Sequence, residues 1–157
     1  MLDFFMKYEY VFQYSNEPYS YSFGFVFIHS SSKREVHLKS KWIEHKGKRI
    51  FLADYSGFTD FEKFKAELDY STSITINEPK NSVLLLCDVT GTIGHQEMID
   101  YLTKSASKDK DNMKKTAVIG VSGYRKIFLR AVVQFARISV VPFDDIEQAK
   151  DWLVRED

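Results

Sequence analysis

Cysteine is all but missing from this chain. Cys87 is the only one, so no intrachain disulfide can form, and its place inside an apolar run reads as an inert buried thiol. Long apolar runs are missing too: no stretch approaches the roughly 18 consecutive apolar residues of a membrane span. No basic segment followed by an apolar block opens the sequence, and the expected location is cytoplasmic. Neither sign of charge is in excess. The 22 basic and 22 acidic residues cancel, which removes the general field that draws a protein to nucleic acid or to an acidic membrane. Familiar catalytic signatures are also lacking. There is no P-loop and no Gly-x-Gly-x-x-Gly, and Gly120-Val121-Ser122-Gly123 lacks the spacing of a nucleophile elbow. His29, His37, His45 and His95 show no metal-ligand spacing, so no metal, no cofactor and no complete catalytic set is expected.

Aromatic residues, by contrast, crowd the amino end. Tyr8, Tyr10, Phe12 and Tyr14, then Tyr19, Tyr21, Phe23, Phe25 and Phe27, recur at every second position around a Ser15-Asn16-Glu17-Pro18 break, the pattern of a β-hairpin. The rings share one face, to be covered by the main domain, by a second copy of the chain or by an apolar ligand. Residues 1–35 are therefore expected to form an aromatic hairpin extension and residues 36–157 the main domain, with packing of the hairpin on that domain and self-association through it as equal alternatives.

In the main domain, Val36 to Ile43 and Arg49 to Ala53 read as strands joined by His45-Lys46-Gly47-Lys48. Thr59 with Glu62 forms a capping box that opens a helix whose apolar face is Phe61, Phe64 and Leu68. Ser82 to Cys87 is the most continuously apolar run, as expected of a strand covered on both faces. A helix from about His95 carries Met98, Ile99, Leu102 and Ala106, and the charged stretch Lys108 to Lys115 reads as a solvated loop. Thr116 to Gly120 is the next strand, and Tyr124 to Phe135 is the clearest amphipathic helix. Ile138 to Val141 is a last strand before Pro142, and Asp144 with Glu147 caps a final helix that buries Ile146, Ala149, Trp152 and Leu153. The basic stretch Lys33 to Arg49 reads as a solvated face. The order βαβαβαβα after an initial strand predicts an α/β fold, a mainly parallel sheet with helices packed on it.

Three apolar runs end alike, in Asp54-Tyr55-Ser56-Gly57, Asp88-Val89-Thr90-Gly91 and Val121-Ser122-Gly123. As parallel strands of one sheet they would gather at its carboxyl edge, where open α/β sheets place their sites. Asp54 and Asp88 on neighbouring strands about 4.8 Å apart would repel by roughly 3 kcal/mol at an effective dielectric of 20. A cation, a shared proton, or turn amides with the Ser56 and Thr90 hydroxyls would relieve them, the turn bonds being the commonest device.

These motifs, with Trp42-Ile43-Glu44-His45-Lys46-Gly47-Lys48, Gly123-Tyr124-Arg125-Lys126-Ile127 and Phe143-Asp144 followed by Trp152-Leu153, resemble the STAS family and its SpoIIAA-like branch. The resemblance implies a STAS-like domain from Val36 onward, without catalysis, acting through contact with a partner protein. The serine on which such antagonists are phosphorylated falls near Ile93, Gly94 and His95 here, so that switch does not carry over, whereas Thr90 and Thr92 are hydroxyls beside it. The branch is also compared with lipid-carrying CRAL-TRIO domains, which implies an apolar cavity. Separately, Asp88-Val89-Thr90-Gly91-Thr92 is similar to the nucleophile loop of haloacid-dehalogenase-type phosphotransferases. That likeness implies a magnesium-dependent aspartyl enzyme using Asp88, with Asp144-Asp145 as the distal acidic pair and Ser122 and Lys126 in support.

The expectation is a non-enzymatic STAS-like regulatory or binding module that recognises a protein partner or small ligand at the strand carboxyl edge. Its candidate residues are Asp54, Ser56, Asp88, Thr90, Thr92 and Ser122, whose hydroxyls and turn amides would suit an anion. The aspartyl phosphotransferase and the lipid or small-molecule carrier remain the alternatives.

Overall fold

A Lys46-Gly47 turn sets the first element of the fold. Both residues have positive φ, 49° and 77°, the twist that a two-residue hairpin turn requires, and glycine meets it without strain. The turn joins β1 (Lys41–His45) to β2 (Lys48–Asp54) in antiparallel register, Trp42 opposite Phe51 and His45 opposite Lys48. The computed structural model describes residues 38–121, 123, 130, 133–134 and 139–156, all within the unit spanning 35–157. The expected aromatic hairpin with its self-association surface, Ser122 and all of the expected helix of Tyr124 to Phe135 except residues 130 and 133–134 lie outside the described residues.

From β2 the chain runs through α1 (Phe61–Thr75), β3 (Val83–Asp88), α2 (Gln96–Asp109), a 3-10 turn (Lys110–Asn112), β4 (Met113–Ile119), β5 (Val141–Phe143) and α3 (Ile146–Val154). The five strands lie side by side in chain order, and every pair after β1–β2 is parallel. The expected α/β architecture with a mostly parallel sheet is present.

Alternation along the strands divides the core into two layers. Ile50, Leu84, Leu86, Ala117 and Ile119 face α3, where Ala149, Leu153 and Val154 close on them. Phe51, Ala53, Tyr55 and Val83 face the other way, onto Phe64 and Leu68 of α1 and Met98 of α2. Covered on both sides, β3 has no solvent face, and its unbroken Val83-Leu84-Leu85-Leu86 run is the consequence. No helix among the described residues is long and apolar enough to cross a membrane.

Five boundaries differ from the sequence expectation. The first strand starts at Lys41, because the amides of Lys39 and Ser40 donate to the Glu67 carboxylate at 2.9 and 2.8 Å instead of entering the ladder. Both caps sit one residue later than expected. Asp60 accepts from the Lys63 amide at 2.9 Å, and Asp145 accepts from the Gln148 amide at 2.9 Å, because a carboxylate three residues before an unpaired amide reaches it directly. The stretch Lys108 to Lys115 is not a solvated loop. Asp109 turns inward to Thr75 while Asn81 and Ser82 donate to Asp111 and Asn112, drawing the chain straight into β4. The last strand contains Pro142 instead of stopping before it, which an edge strand tolerates because no ladder bond is needed on its outer side.

Candidate functional site

The carboxyl ends of β2 and β3 continue as paired turns. Tyr55 donates its amide to Asp88 O at 2.8 Å, Gly57 donates to Thr90 O at 2.8 Å, and Val89 donates to Ile119 O at 3.1 Å. Gly57 and Gly91 bend with φ of 69° and 72°, and a β-carbon built on Gly91 would stand 3.7 Å from the Gly57 α-carbon. The turns after β2 and β3 therefore stack on each other. The end of β4 meets the second of them through Gly120, which lies against Thr90. Asp54, Ser56, Asp88, Thr90 and Thr92 come together along this edge, and Ser122 is outside the described residues.

Asp54 and Asp88 are register partners, so their carboxylates do emerge side by side. Each is braced by its own turn: Asp54 accepts from the Ser56 amide at 3.0 Å and hydroxyl at 2.6 Å, and Asp88 accepts from the Thr90 amide at 2.8 Å. The counter-charge is Lys39. Its ammonium donates to Asp54 Oδ1 at 3.0 Å, Ser56 O at 2.6 Å and Ser56 Oγ at 3.0 Å, and it lies 4.7 Å from the Phe58 ring centre. Burial pushes the Asp54 carboxyl up, but the Ser56 hydroxyl and Lys39 outweigh it and hold Asp54 below the usual carboxylate range.

These bonds orient the edge toward itself. The Ser56 hydroxyl is directed at Asp54, and Thr92 is buried with its hydroxyl donating to the Tyr55 carbonyl. Thr90 is exposed, with its amide already given to Asp88. The donors proposed for an anion serve the turns, and two carboxylates stand among them.

A space opens below this edge, between the sheet and the layer of α1 and α2. It is a cavity of about 170 Å³ that reaches from Val89, Thr92 and Val121 at the strand ends to Thr75, Asp109 and Met113 at the far end. Phe51, Leu85 and Val118 of the sheet and Leu68, Met98 and Leu102 of the helices supply its apolar walls. One part of the wall is polar. The Tyr55 and Ser71 hydroxyls meet at 2.6 Å, and Thr75 Oγ1 donates to Asp109 Oδ2 at 2.5 Å. Burial pushes the Tyr55 hydroxyl well above its usual value, and Asp109 is likewise raised by burial against the Thr75 bond. Cys87 lines the cavity and is half-buried where the sequence predicts full burial, and desolvation, with the charges of Asp109 and Asp88, pushes its thiol up to about 12. No group of three or more His, Cys, Asp or Glu among the described residues could hold a metal ion.

Sequence reasoning missed Lys39, counted among the solvated bases, and the polar wall. The other bases described in that stretch keep to the surface, where Lys46 pairs with Asp151 at 2.7 Å, Lys48 with Glu156 at 3.0 Å, and Arg49 lies 4.1 Å from the Trp42 ring centre. A signal for the wall was present in Glu67, Ser71 and Thr75, a polar row at four-residue spacing beside the apolar Phe64 and Leu68. No family model matches the chain, and neither does any curated protein or solved structure.

Proposed function

We propose that this domain is a non-enzymatic, STAS-like binding module whose ligand is a small, largely apolar molecule held between the sheet and the layer of α1 and α2. The observation that carries the proposal is the cavity of about 170 Å³ walled by Phe51, Leu85, Met98, Leu102 and Val118. Protein interiors are packed with few voids larger than a water molecule. Left unfilled, these apolar walls lack the contacts that close packing supplies elsewhere in the core. A ligand that fills the space recovers that loss through contacts along the apolar walls.

The cavity touches the carboxyl edge at Val89, Thr92 and Val121, so occupancy bears on the turns that a partner protein would read. That link supports keeping the regulatory reading together with the ligand. The aspartyl phosphotransferase is supported less well. Asp88 has Asp54 beside it, but Asp54 is already matched by Lys39, and Asp145 is engaged at the start of α3.

The test is a thermal-shift and native mass titration of the full chain with toluene. Toluene is expected to raise the melting temperature and to add its mass. Leu85→Phe, which fills the space, is expected to abolish both effects while remaining folded. A wild-type chain indifferent to toluene overturns the proposal.

A further inference from the structure

Asp109 is 8% exposed and stands on the cavity wall. Its carboxylate accepts from the Thr75 hydroxyl and from its own backbone amide, and no Lys, Arg or His among the described residues forms an ion pair with it. Glu67 is the instructive contrast. It is buried more deeply still, but it is tied to two consecutive amides and is not among the residues that line the cavity. An enclosed carboxylate needs a cation or several donors. The charge of Lys108, the preceding residue, favours the ionised form of Asp109 without pairing with it, and Asp109 lines the cavity.

The other lining groups agree in sign. Ser71, Thr72 and Thr75 offer hydroxyl oxygens to the lining, and no cationic side chain lines the cavity among the described residues. Tyr55 and Cys87 are both pushed upward by burial, so each keeps its proton at neutral pH and neither supplies a second anion.

We infer that the ligand of this cavity is a small apolar molecule bearing one protonated amine, which Asp109 receives. The inference rests on the cavity reading above and names its ligand class. The size fits a single aromatic ring or a short alkyl chain, since an apolar cavity of about 150 Å³ holds benzene. Burial raises Asp109, and an ammonium seated against it favours the ionised form. A carboxylate ligand such as a fatty acid meets repulsion at the same point.

The experiment is calorimetry of the full chain with benzylamine, benzyl alcohol, toluene and benzoate, probes of one shape that differ in the head group. Benzylamine is expected to bind at least tenfold tighter than benzyl alcohol or toluene, and benzoate worst. In Asp109→Asn the amine is expected to fall to the level of the alcohol while toluene is unchanged. If benzylamine, benzyl alcohol and toluene bind the wild-type chain within about twofold of one another, or benzoate binds best, the inference falls and the cavity reading stands. If none of the four binds, both fall. Should Asp109→Asn not fold, the wild-type series decides alone.

Discussion

Gly120 lies so close to Thr90 that a β-carbon at Gly120 would stand 2.4 Å from the Thr90 amide nitrogen and 2.6 Å from its α-carbon. The conflict is with backbone, so no side-chain rotation removes it. Gly120 also has φ of 80°, a region that side chains disfavour by about 1–2 kcal/mol. Gly120→Ala is therefore expected to destabilise the domain by about 2–4 kcal/mol, strain and displacement together. Gly94→Ala, with nothing within 4 Å of the added carbon, is expected to stay within about 0.5 kcal/mol of wild type. Urea unfolding of the two variants checks the contrast, and equal losses would refute the close approach of β4 to the turn after β3.

Cys87 is expected to be chemically silent in the folded chain. With the thiol pushed up to about 12, its thiolate fraction at pH 8 is roughly a thousandth of that of an ordinary thiol near 9. A disulfide reagent at pH 8 should leave the native protein unmodified over the time in which the urea-unfolded chain reacts completely. Rapid native labelling would mean that the cavity is open to solvent on its Cys87 side.

The sheet was legible in the sequence because its signals are local. Val83-Leu84-Leu85-Leu86 names a strand covered twice, and the recurring hydroxyl-glycine endings placed the turns after β2 and β3 together before any coordinates. The capping residues were legible to within one position, since Thr59 and Asp60, or Asp144 and Asp145, differ only in which oxygen reaches the free amide. What could not be read was anything made by two distant residues. Lys39 acquires its role from Asp54 and Ser56, 15 and 17 residues away, and Asp109 from Thr75, 34 residues away. A cavity is more hidden still, because it depends on volume left over when every side chain has been placed.

Lys39 is expected to control the acidity of Asp54. Lys39→Met leaves Asp54 with its turn bonds and a neighbouring like charge, so its carboxyl pKa should rise. Both side chains of the ion pair are about a quarter to a third exposed, so screening limits the stability change to roughly 0.5–1 kcal/mol. Carbon-detected NMR titration of the Asp54 carboxyl in wild type and Lys39→Met measures the shift, with Ser56→Ala moving it the same way. An Asp54 titration that Lys39→Met leaves unaltered would show that the ammonium does not hold Asp54.

Asp54 and Asp109 should pull the pH dependence of stability in opposite directions. Asp54 is held below its unfolded value of 3.8, so the stability it contributes is present above that pH and is lost as the pH falls through its folded value. Asp109 is raised above 3.8 in the folded chain, so folding takes up a proton there and its cost, full at neutral pH, is relieved as the pH falls through the raised value toward 3.8. Asp109→Asn keeps an oxygen for the Thr75 hydroxyl and removes the buried charge. It is expected to be at least as stable as wild type at pH 7, with the advantage shrinking as the solution is acidified. Asp54→Asn should behave in reverse, less stable than wild type at pH 7 and converging on it in acid. Urea unfolding of the three chains from pH 3 to pH 7 tests both signs at once. An Asp109→Asn chain that loses stability at pH 7 and recovers it in acid would show that the carboxylate is favoured in its pocket even without a ligand.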